Sequence, residues 1–397
     1  MTNTNLRPIP PNSSRHLLPI AQLAADAFSG GKYVEQFCEN YIGNNHYDWD
    51  VSRIVFDDEK LIHHWGVWGY QMRVESAQLK TAGIGAVVTH EDHRKQGIMH
   101  RAAQESFDAM RQNGYDLSIL RGKHYVKIGY ARAWNYVNYK FTPEEIKGLE
   151  IKKPYQPLGV ESIHEMNEFY NRTHASFTGT AIRPTYLNKH PDDIGVYAWF
   201  DENGQLEGYI RAFPAEDDPK LFQCLEAAGD PQQGLAILTE LFQKSGCEKL
   251  SCFTLPYFHP MTQVLRKGAC IVEDRYFDVS GWRVKIINLQ STLTKLIPLF
   301  ERRLSHSQFA NWAGSLHLDG GEHQATLNIS NGKVEITHDA SENILHGSAD
   351  IARFLIGSDE PEEIMRQANM KCERLALPLT CALFPNLHPM LSHWDEF

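Results

Sequence analysis

Residues Thr81 to Trp134 read TAGIGAVVTHEDHRKQGIMHRAAQESFDAMRQNGYDLSILRGKHYVKIGYARAW, and the pattern changes three times along them. Ile84 to Thr89 is a short apolar run with β-branched residues and a flanking glycine, which suits a buried strand. His90 to Gln96 is polar and strongly charged, so the chain turns there. From Gly97 the period lengthens. Ile98, Met99, Ala102, Ala103, Phe107 and Met110 share one helical face, while Arg101, Glu105, Asp108 and Arg111 fall elsewhere. Asn113-Gly114 stops the helix, and Leu117 to Leu120 is the next strand. The unit is strand, basic turn, helix, strand.

The turn carries the chemistry. A helix N-terminus leaves backbone N–H groups unpaired and holds roughly half a positive charge from the helix dipole. Gly97 lets a ligand approach that backbone, and Arg94 and Lys95 add full charges beside it. The sum is an anion site suited to a diphosphate. The spacing is neither that of a P-loop nor that of a G-x-G-x-x-G dinucleotide turn.

Arg94-Lys95-Gln96-Gly97 resembles the R-x-x-G turn of the GCN5-related N-acetyltransferases (GNAT), and Tyr125-Val126-Lys127-Ile128-Gly129-Tyr130 resembles the Y-x-x-x-G-[YF] segment of that superfamily. Met99 stands where the usual turn has a small residue. The resemblance narrows to Eis-type (enhanced intracellular survival) enzymes through Thr81-Ala82-Gly83, His93-Arg94 and the chain end Trp394-Asp395-Glu396-Phe397. It implies acetyl-CoA as co-substrate. Arg94, Lys95, Gln96, Gly97, Ile98, Met99 and His100 would hold the diphosphate, and the backbone of Val87, Val88 and Thr89 the pantetheine arm. It also implies Tyr125 as general acid, the terminal carboxylate of Phe397 as general base, and Phe28 and Glu396 at the substrate. The implied fold is α/β (α+β), with tandem GNAT folds built on mixed central sheets and a C-terminal sterol-carrier-like domain. Domains are expected at 1–150 (catalytic), 151–284 (without a cofactor site) and 285–397 (delivering the terminus). Trimers or hexamers follow from the same resemblance. The segment Arg121 to His124 is shorter than that subfamily leads one to expect, so the cofactor contacts of that loop do not carry over.

Composition sets bounds. A chain of 397 residues with 42% hydrophobic and 22% charged residues suits two or three ordinary globular domains. A formal charge of −10 disfavours nucleic acid as a partner and is compatible with a cationic substrate. The 7 cysteines never form C-x-x-C, which suits reduced thiols in the cytoplasm and no metal. The polar start, Met-Thr-Asn-Thr-Asn, is unlike a signal peptide, and no run reaches the length of a membrane span.

Along the rest of the chain, residues 1–15 read as a loosely held tail or strand, followed by helices over Leu17 to Phe28 and Tyr33 to Ile42. Strands at Ser52 to Phe56 and Leu61 to Tyr70 form a hairpin, with His63 and His64 on opposite faces. Tyr136 to Phe141 reads as the last strand of the first domain, and Lys152 to Pro157 as a linker. A helix over Ile163 to Thr173, a hairpin around Asp201 to Gly204 and a helix over Gln233 to Ser245 repeat the first unit without an R-x-x-G turn. Trp282 to Leu289 marks the third boundary. Asn331-Gly332 turns a hairpin, and helices are expected over Leu293 to Leu304, Asp350 to Ile356 and Pro361 to Glu373.

Acetyl transfer to an amine needs a base, because alkylammonium groups titrate near ~10. It also needs a proton for the leaving thiolate, which a tyrosine can give. A free α-carboxylate, at ~3.3–3.7, is a poor base unless buried or helped by a water relay. Each assignment has a plainer counterpart. Tyr125 could be a packed tyrosine, Phe28 a core residue, Asp395 and Glu396 a solvated acidic end, and the terminus a frayed tail. A non-catalytic acyl-CoA- or lipid-binding protein keeping the fold is the alternative function.

Overall fold

The computed structural model describes residues 6–43, 46–146, 148–185 and 195–397. The expected N-terminal tail is held from Leu6 onward: Leu6 is buried and Ile9 bridges to Ile54. Helix α1 (Ser13–Ser29) starts earlier than its apolar spacing suggests, because the Asn12 side chain accepts from the N–H groups of Ser14 and Arg15. The next helix is one short turn, α2 (Val34–Gln36), that runs on as a π-helix over Phe37–Ile42.

β1 (Arg53–Asp57), β2 (Lys60–Val74) and β3 (Ala77–Thr89) form an antiparallel meander. Helix α3 (Ile98–Gln112) then crosses to β4 (Leu117–Arg121), which lies parallel to β3. The helix packs Ala102, Ala103, Phe107 and Met110 onto Trp65, Ala82 and Ile84 of the sheet, as the helical period requires. A two-residue strand, β5 (Ala131–Arg132), closes the segment.

The two domain boundaries drawn from sequence are crossed by strands. Tyr136–Lys140 (β6), expected as the last strand of the first domain, lies in the second sheet. That sheet comprises β6, β7 (Tyr155–Leu158), β8 (Val196–Phe200), β9 (Leu206–Pro214), β10 (Leu221–Ala228), β11 (Lys249–Phe253) and β12 (Ile271–Arg275), in the order β12-β6-β11-β10-β9-β8-β7. Helices α4 (Ile163–Thr173), α5 (Pro231–Ser245) and α6 (Pro260–Lys267) accompany it. Conversely β13 (Trp282–Ile286), read as the start of the third domain, returns to the first sheet, whose order is β1-β2-β3-β4-β13-β5. Alternating apolar residues announce a strand but not its partners. Every residue of β13 is buried, and such a strand needs neighbours on both edges and cover on both faces.

The third unit begins with α7 (Leu289–Ser305) and continues through β14 (Gly314–Asp319), β15 (Gln324–Ser330), β16 (Lys333–Thr337) and β17 (Ile344–His346). α8 (Ile351–Ile356), α9 (Pro361–Gln367), β18 (Lys371–Cys372) and α10 (Ala376–Leu383) complete it. Its sheet order is β16-β15-β14-β17-β18. The Asn331-Gly332 hairpin forms with both residues at positive φ, 52° and 72°. The helix expected over Pro361 to Glu373 stops at Gln367, where Asn369 turns left-handed and Lys371–Cys372 joins the sheet.

One apolar core joins the far face of the first sheet to the third unit: Leu117, Ile119, Trp282 and Val284 pack with Leu293, Leu316 and Phe354. Among the described residues no helix is long and apolar enough to cross a membrane, and the seven cysteines are free.

Trp282 is 0% exposed at the join. Trp282→Ala is expected to cost about 3–5 kcal/mol, from lost burial and a residual cavity. A fall in the urea midpoint, followed by far-UV circular dichroism, measures it.

Candidate active site

β3 and β4 part company. Their ladder covers only Thr81–Leu117, Ala82–Ser118 and Gly83–Ile119. Beyond Gly83, β4 continues beside β13, while Ile84 to Thr89 keep β2 on one edge and, among the described residues, have no strand on the other. Unpaired N–H and C=O groups along a strand edge are a template for a ligand with amide groups of its own. Val87, Val88 and Thr89 lie on this edge. The Thr89 hydroxyl meets His63 Nδ1 at 2.8 Å, and its carbonyl accepts from Arg94 Nε at 3.1 Å. Thr89 therefore helps to set the turn as well as the edge.

The edge is also bulged. Gly85 pairs with Gly66 and Val88 with His64, so β3 holds one extra residue there, and Ala86 has φ 44°. His64, fully buried, fixes the bulge: its Nδ1 donates to the Ala86 carbonyl at 2.7 Å, and its Nε2 accepts from Tyr47 Oη at 2.8 Å. A carbonyl only accepts, which sets the tautomer, and burial lowers the imidazole to about 4, so it stays neutral. His63 and His64 are both 0% exposed, and each ties β2 to β3.

The strand runs into the basic turn. Lys95 and Gly97 have φ 63° and 73°, so two left-handed residues stand at the head of α3. No side chain caps α3, a helix of 15 residues. Arg94, Lys95, Gln96 and Gly97 are exposed, as is His100, and Met99 is half-buried against the core under α3. Ile98 is a core side chain packed with Leu6, Val55 and Ile62, so only its backbone is on offer.

Tyr125 follows β4 in a short helical turn (Lys123–Ile128). Its ring lies edge-on to Trp65 at 5.9 Å and near Tyr130 at 6.3 Å, on the α3 side of the sheet. Burial lifts its phenol to about 12, so it is protonated at neutral pH. Tyr130 is a packing residue, fully buried with its hydroxyl 2.6 Å from Ser118 Oγ.

The chain end arrives on the other face. Ala82 and Ile84 face α3, so Gly83 and Gly85 face away. A Cβ at Gly83 would sit 2.6 Å from Cδ1 of Phe397, and one at Gly85 would sit 3.3 Å from the Phe397 carboxyl carbon. Only glycine leaves this room. The Phe397 ring is 5.8 Å from Tyr70 and 5.5 Å from Trp282, with Tyr41 and Trp68 in the same apolar cluster. Tyr125 and the terminal carboxylate thus flank the parted strands from opposite faces.

The last three residues dock in three places. Asp395 is buried on Arg183 of the second unit. Glu396 meets Arg121 of β4 at 3.1 Å and lies 3.5 Å from the Tyr136 hydroxyl of β6. Phe397 seats on β3. Burial is the main cause lifting the Glu396 carboxyl to about 7, with Arg121 opposing it. The reading of Asp395 as part of a solvated acidic end is overturned: its side chain is 0% exposed and ion-paired. The frayed-tail alternative fails for the same reason. Breaking a buried pair by removing one partner typically costs about 3–5 kcal/mol.

Phe28, expected beside the substrate, is 59% exposed on the last turn of α1, and the aromatics around the chain end are Tyr41, Trp68, Tyr70 and Trp282. Sequence reading also missed Arg121, Tyr136, Arg183 and Glu226. They come from four separate segments and carry no local signal. The acids near the terminus were the one available hint, since a buried carboxylate requires a cation somewhere in the fold.

A hollow of about 790 Å³ opens over the second sheet, next to Tyr136 on the same face of β6. It is lined by Asn138, Phe253 and charges of both signs: Lys140, Lys249 and Arg275 beside Glu144, Glu145, Asp217, Asp218 and Glu248. Phe253 stacks on Tyr136 at 5.5 Å, which joins the hollow to the Glu396 end of the tail. Among the described residues no group of three or more His, Cys, Asp and Glu side chains is placed to hold a metal ion.

Residues 13–136 match the family model described as an acetyltransferase (GNAT) domain. No curated protein matches the chain in sequence. Its fold is similar over 99% of its length to all of a GCN5-related N-acetyltransferase from Anabaena variabilis, with TM-score 0.74 and 16% identity. A probable N-acyltransferase of unknown function from Enterococcus faecalis aligns over 98% of this chain and 99% of its own, with TM-score 0.72 and 17% identity. Eis1 from Mycobacterium abscessus aligns over 87% of this chain and 91% of its own, with TM-score 0.66 and 14% identity. The architecture is that of tandem acetyltransferase-like α+β folds.

Glu396 makes the chain's stability depend on pH. Its carboxyl rises from 4.5 to about 7 on folding, so the stabilisation it gives is complete below about 4.5 and is lost as pH rises through about 7. Glu396→Gln removes that dependence. The urea midpoint of the natural chain, relative to the variant, is expected to fall across this window and to be flat on either side.

Proposed function

We propose that the chain is an acetyl-CoA-dependent N-acetyltransferase acting on a primary amine of a cationic acceptor: an aminoglycoside, another polyamine or a lysine-like side chain. One observation carries this reading. The uncapped head of α3, behind Arg94-Lys95-Gln96-Gly97, leads directly to an unpaired strand edge that ends between a phenol and a chain terminus.

In this reading the diphosphate takes the N–H groups of the turn and the charges of Arg94 and Lys95. The pantetheine amides pair with the edge around Val87 and Val88. The thioester then lies in the opening between β3 and β4. An acceptor nitrogen from the Phe397 side attacks the carbonyl carbon and forms the new C–N bond. The proton it sheds goes to the Phe397 carboxylate, directly or through water. Collapse of the tetrahedral intermediate breaks the C–S bond, and the thiolate takes the Tyr125 proton. The same lack of water that lifts the phenol to about 12 also raises the thiol's proton affinity, which narrows the mismatch between them. Five carboxylates against three cations line the hollow beside Tyr136, a balance that favours a cationic acceptor.

A second reading of the base is favoured by one observation: Glu396, at about 7, is poised for proton transfer near neutrality. Under it, Glu396→Gln would slow the reaction as much as loss of Phe397 and would abolish a rise in rate near pH 7.

Thiol release from acetyl-CoA over a panel of amines tests the whole. Tyr125→Phe and deletion of Phe397 are each expected to lower kcat by about 10²–10⁴-fold with acetyl-CoA affinity little changed, the scale of general acid–base catalysis. Arg94→Ala is expected to weaken acetyl-CoA binding instead. A thermal shift with acetyl-CoA but no turnover on any amine would favour the non-catalytic binding protein.

A further inference from the structure

The second unit has no diphosphate turn of its own. Its helix α5 starts at Asp230-Pro231, and the Asp230 side chain takes the N–H groups of Gln232 and Gln233. Yet it holds an unusual cluster. Arg183 is buried, its guanidinium carbon 3.6 Å from the centre of the Tyr170 ring. Its Nε donates to both oxygens of Asp395, at 3.1 and 3.2 Å, and Nη2 donates to Asp395 Oδ2 at 3.0 Å. Nη1 and Nη2 also donate to the two oxygens of Glu226, at 2.8 and 2.5 Å. The remaining acceptor capacity is used as well. Thr185 donates to Asp395 at 2.6 Å, Tyr209 to Glu226 at 2.7 Å and Ser392 to Glu226 at 2.5 Å.

This arrangement grips the tail by two residues, Ser392 and Asp395. Asp395 is two residues from the chain end, so at most about 7 Å of backbone separates the grip from Phe397. The planar guanidinium fixes direction as well as distance, because it meets Asp395 through two nitrogens. Without that grip the tail would keep only the Phe397 ring and the partly exposed Glu396–Arg121 pair as restraints. Anchored at Arg183, it has few conformations left.

We propose that Arg183 and Glu226 are positioning residues for the terminal carboxylate, so that the second unit is a working part of the first unit's site. The pair acts through Asp395, which sets where Phe397 lies against Gly83 and Gly85. The effect on rate rests on the proposed function; the placement of the tail does not.

The test uses the full-length chain with Arg183→Met, and Asp395→Asn as a same-sized second variant should the first fail to fold. Two readouts are taken. The first is release of Phe397 by a carboxypeptidase, followed by intact mass. The natural chain should resist, and each folded variant should lose Phe397 at least about tenfold faster, as a released terminus does. The second is kinetics with acetyl-CoA and an accepted amine. Arg183→Met should lower kcat by about 10–100-fold with the KM for acetyl-CoA within about threefold, as loss of orientation does. In a chain already lacking Phe397 the same substitution should change kcat no further, since both changes act through one group.

Unchanged release of Phe397 in both variants would overturn the proposal. So would an equal loss of kcat from Arg183→Met with and without Phe397, which is the mark of a merely structural residue. Faster release with kcat intact would uphold the placement and overturn the carboxylate as base.

Discussion

Everything at the site follows from three rungs of parallel ladder. β3 and β4 stay together from Thr81 to Gly83 and then separate: β4 goes on beside β13, which holds its other edge throughout, and β3 stays with β2. A paired strand has no hydrogen-bonding capacity to spare. A parted one has a full edge of it, pointed at the head of the helix that follows. The bulge at Ala86 sharpens the arrangement, and His64 keeps that bulge in one form by engaging its carbonyl. These groups are all backbone or backbone-directed, so they stay in place before any ligand arrives.

The second constraint is electrostatic. Arg183 faces two carboxylates in a place without water. Burial alone would raise Glu226, but the guanidinium outweighs it and holds that carboxyl at about 2. Asp395 is raised by the same burial, with Arg183 only partly offsetting it. A cluster of this kind adds little net stability over an apolar one. What it adds is direction: the tail has one place to go, and three successive side chains find three different partners there. Glycine at 83 and 85 is the complementary requirement, since a side chain at 83 would occupy the volume that Phe397 fills and one at 85 would strike the Tyr41 hydroxyl that packs beside it.

The exchange of β6 and β13 between sheets ties the first two units together mechanically. The link is not a flexible connector between finished domains. The first sheet is incomplete until residues 282–286 arrive, and the second is incomplete without residues 136–140. The large core shared by the first sheet and the third unit extends the same dependence to the tail, which leaves that core to reach the parted strands.

The chain's local chemistry was legible from sequence alone. The strand, turn and helix from Ile84 to Gln112 follow from a change of period, and the exposed charges of Arg94 and Lys95 at the head of that helix follow from the polar run between. The hairpins at Asp201–Gly204 and Asn331–Gly332, and the helix at Ile163–Thr173, follow from turn residues and spacing within a dozen positions. Interactions between near neighbours in the chain leave such periodic marks. The assignment of β6 and β13 to sheets and the pairing of Asp395 with Arg183 left none. Each depends on residues more than a hundred positions away, as Arg183 is from Asp395, and an alternating strand or an acidic side chain reads the same whatever it meets. Sequence determined the local elements and the kinds of side chain they carry: a basic turn at the head of a helix, a tyrosine after β4 and an acidic chain end. Tertiary structure alone decided which of them share a site, because only packing brings a chain end, a remote arginine and two glycines to one point.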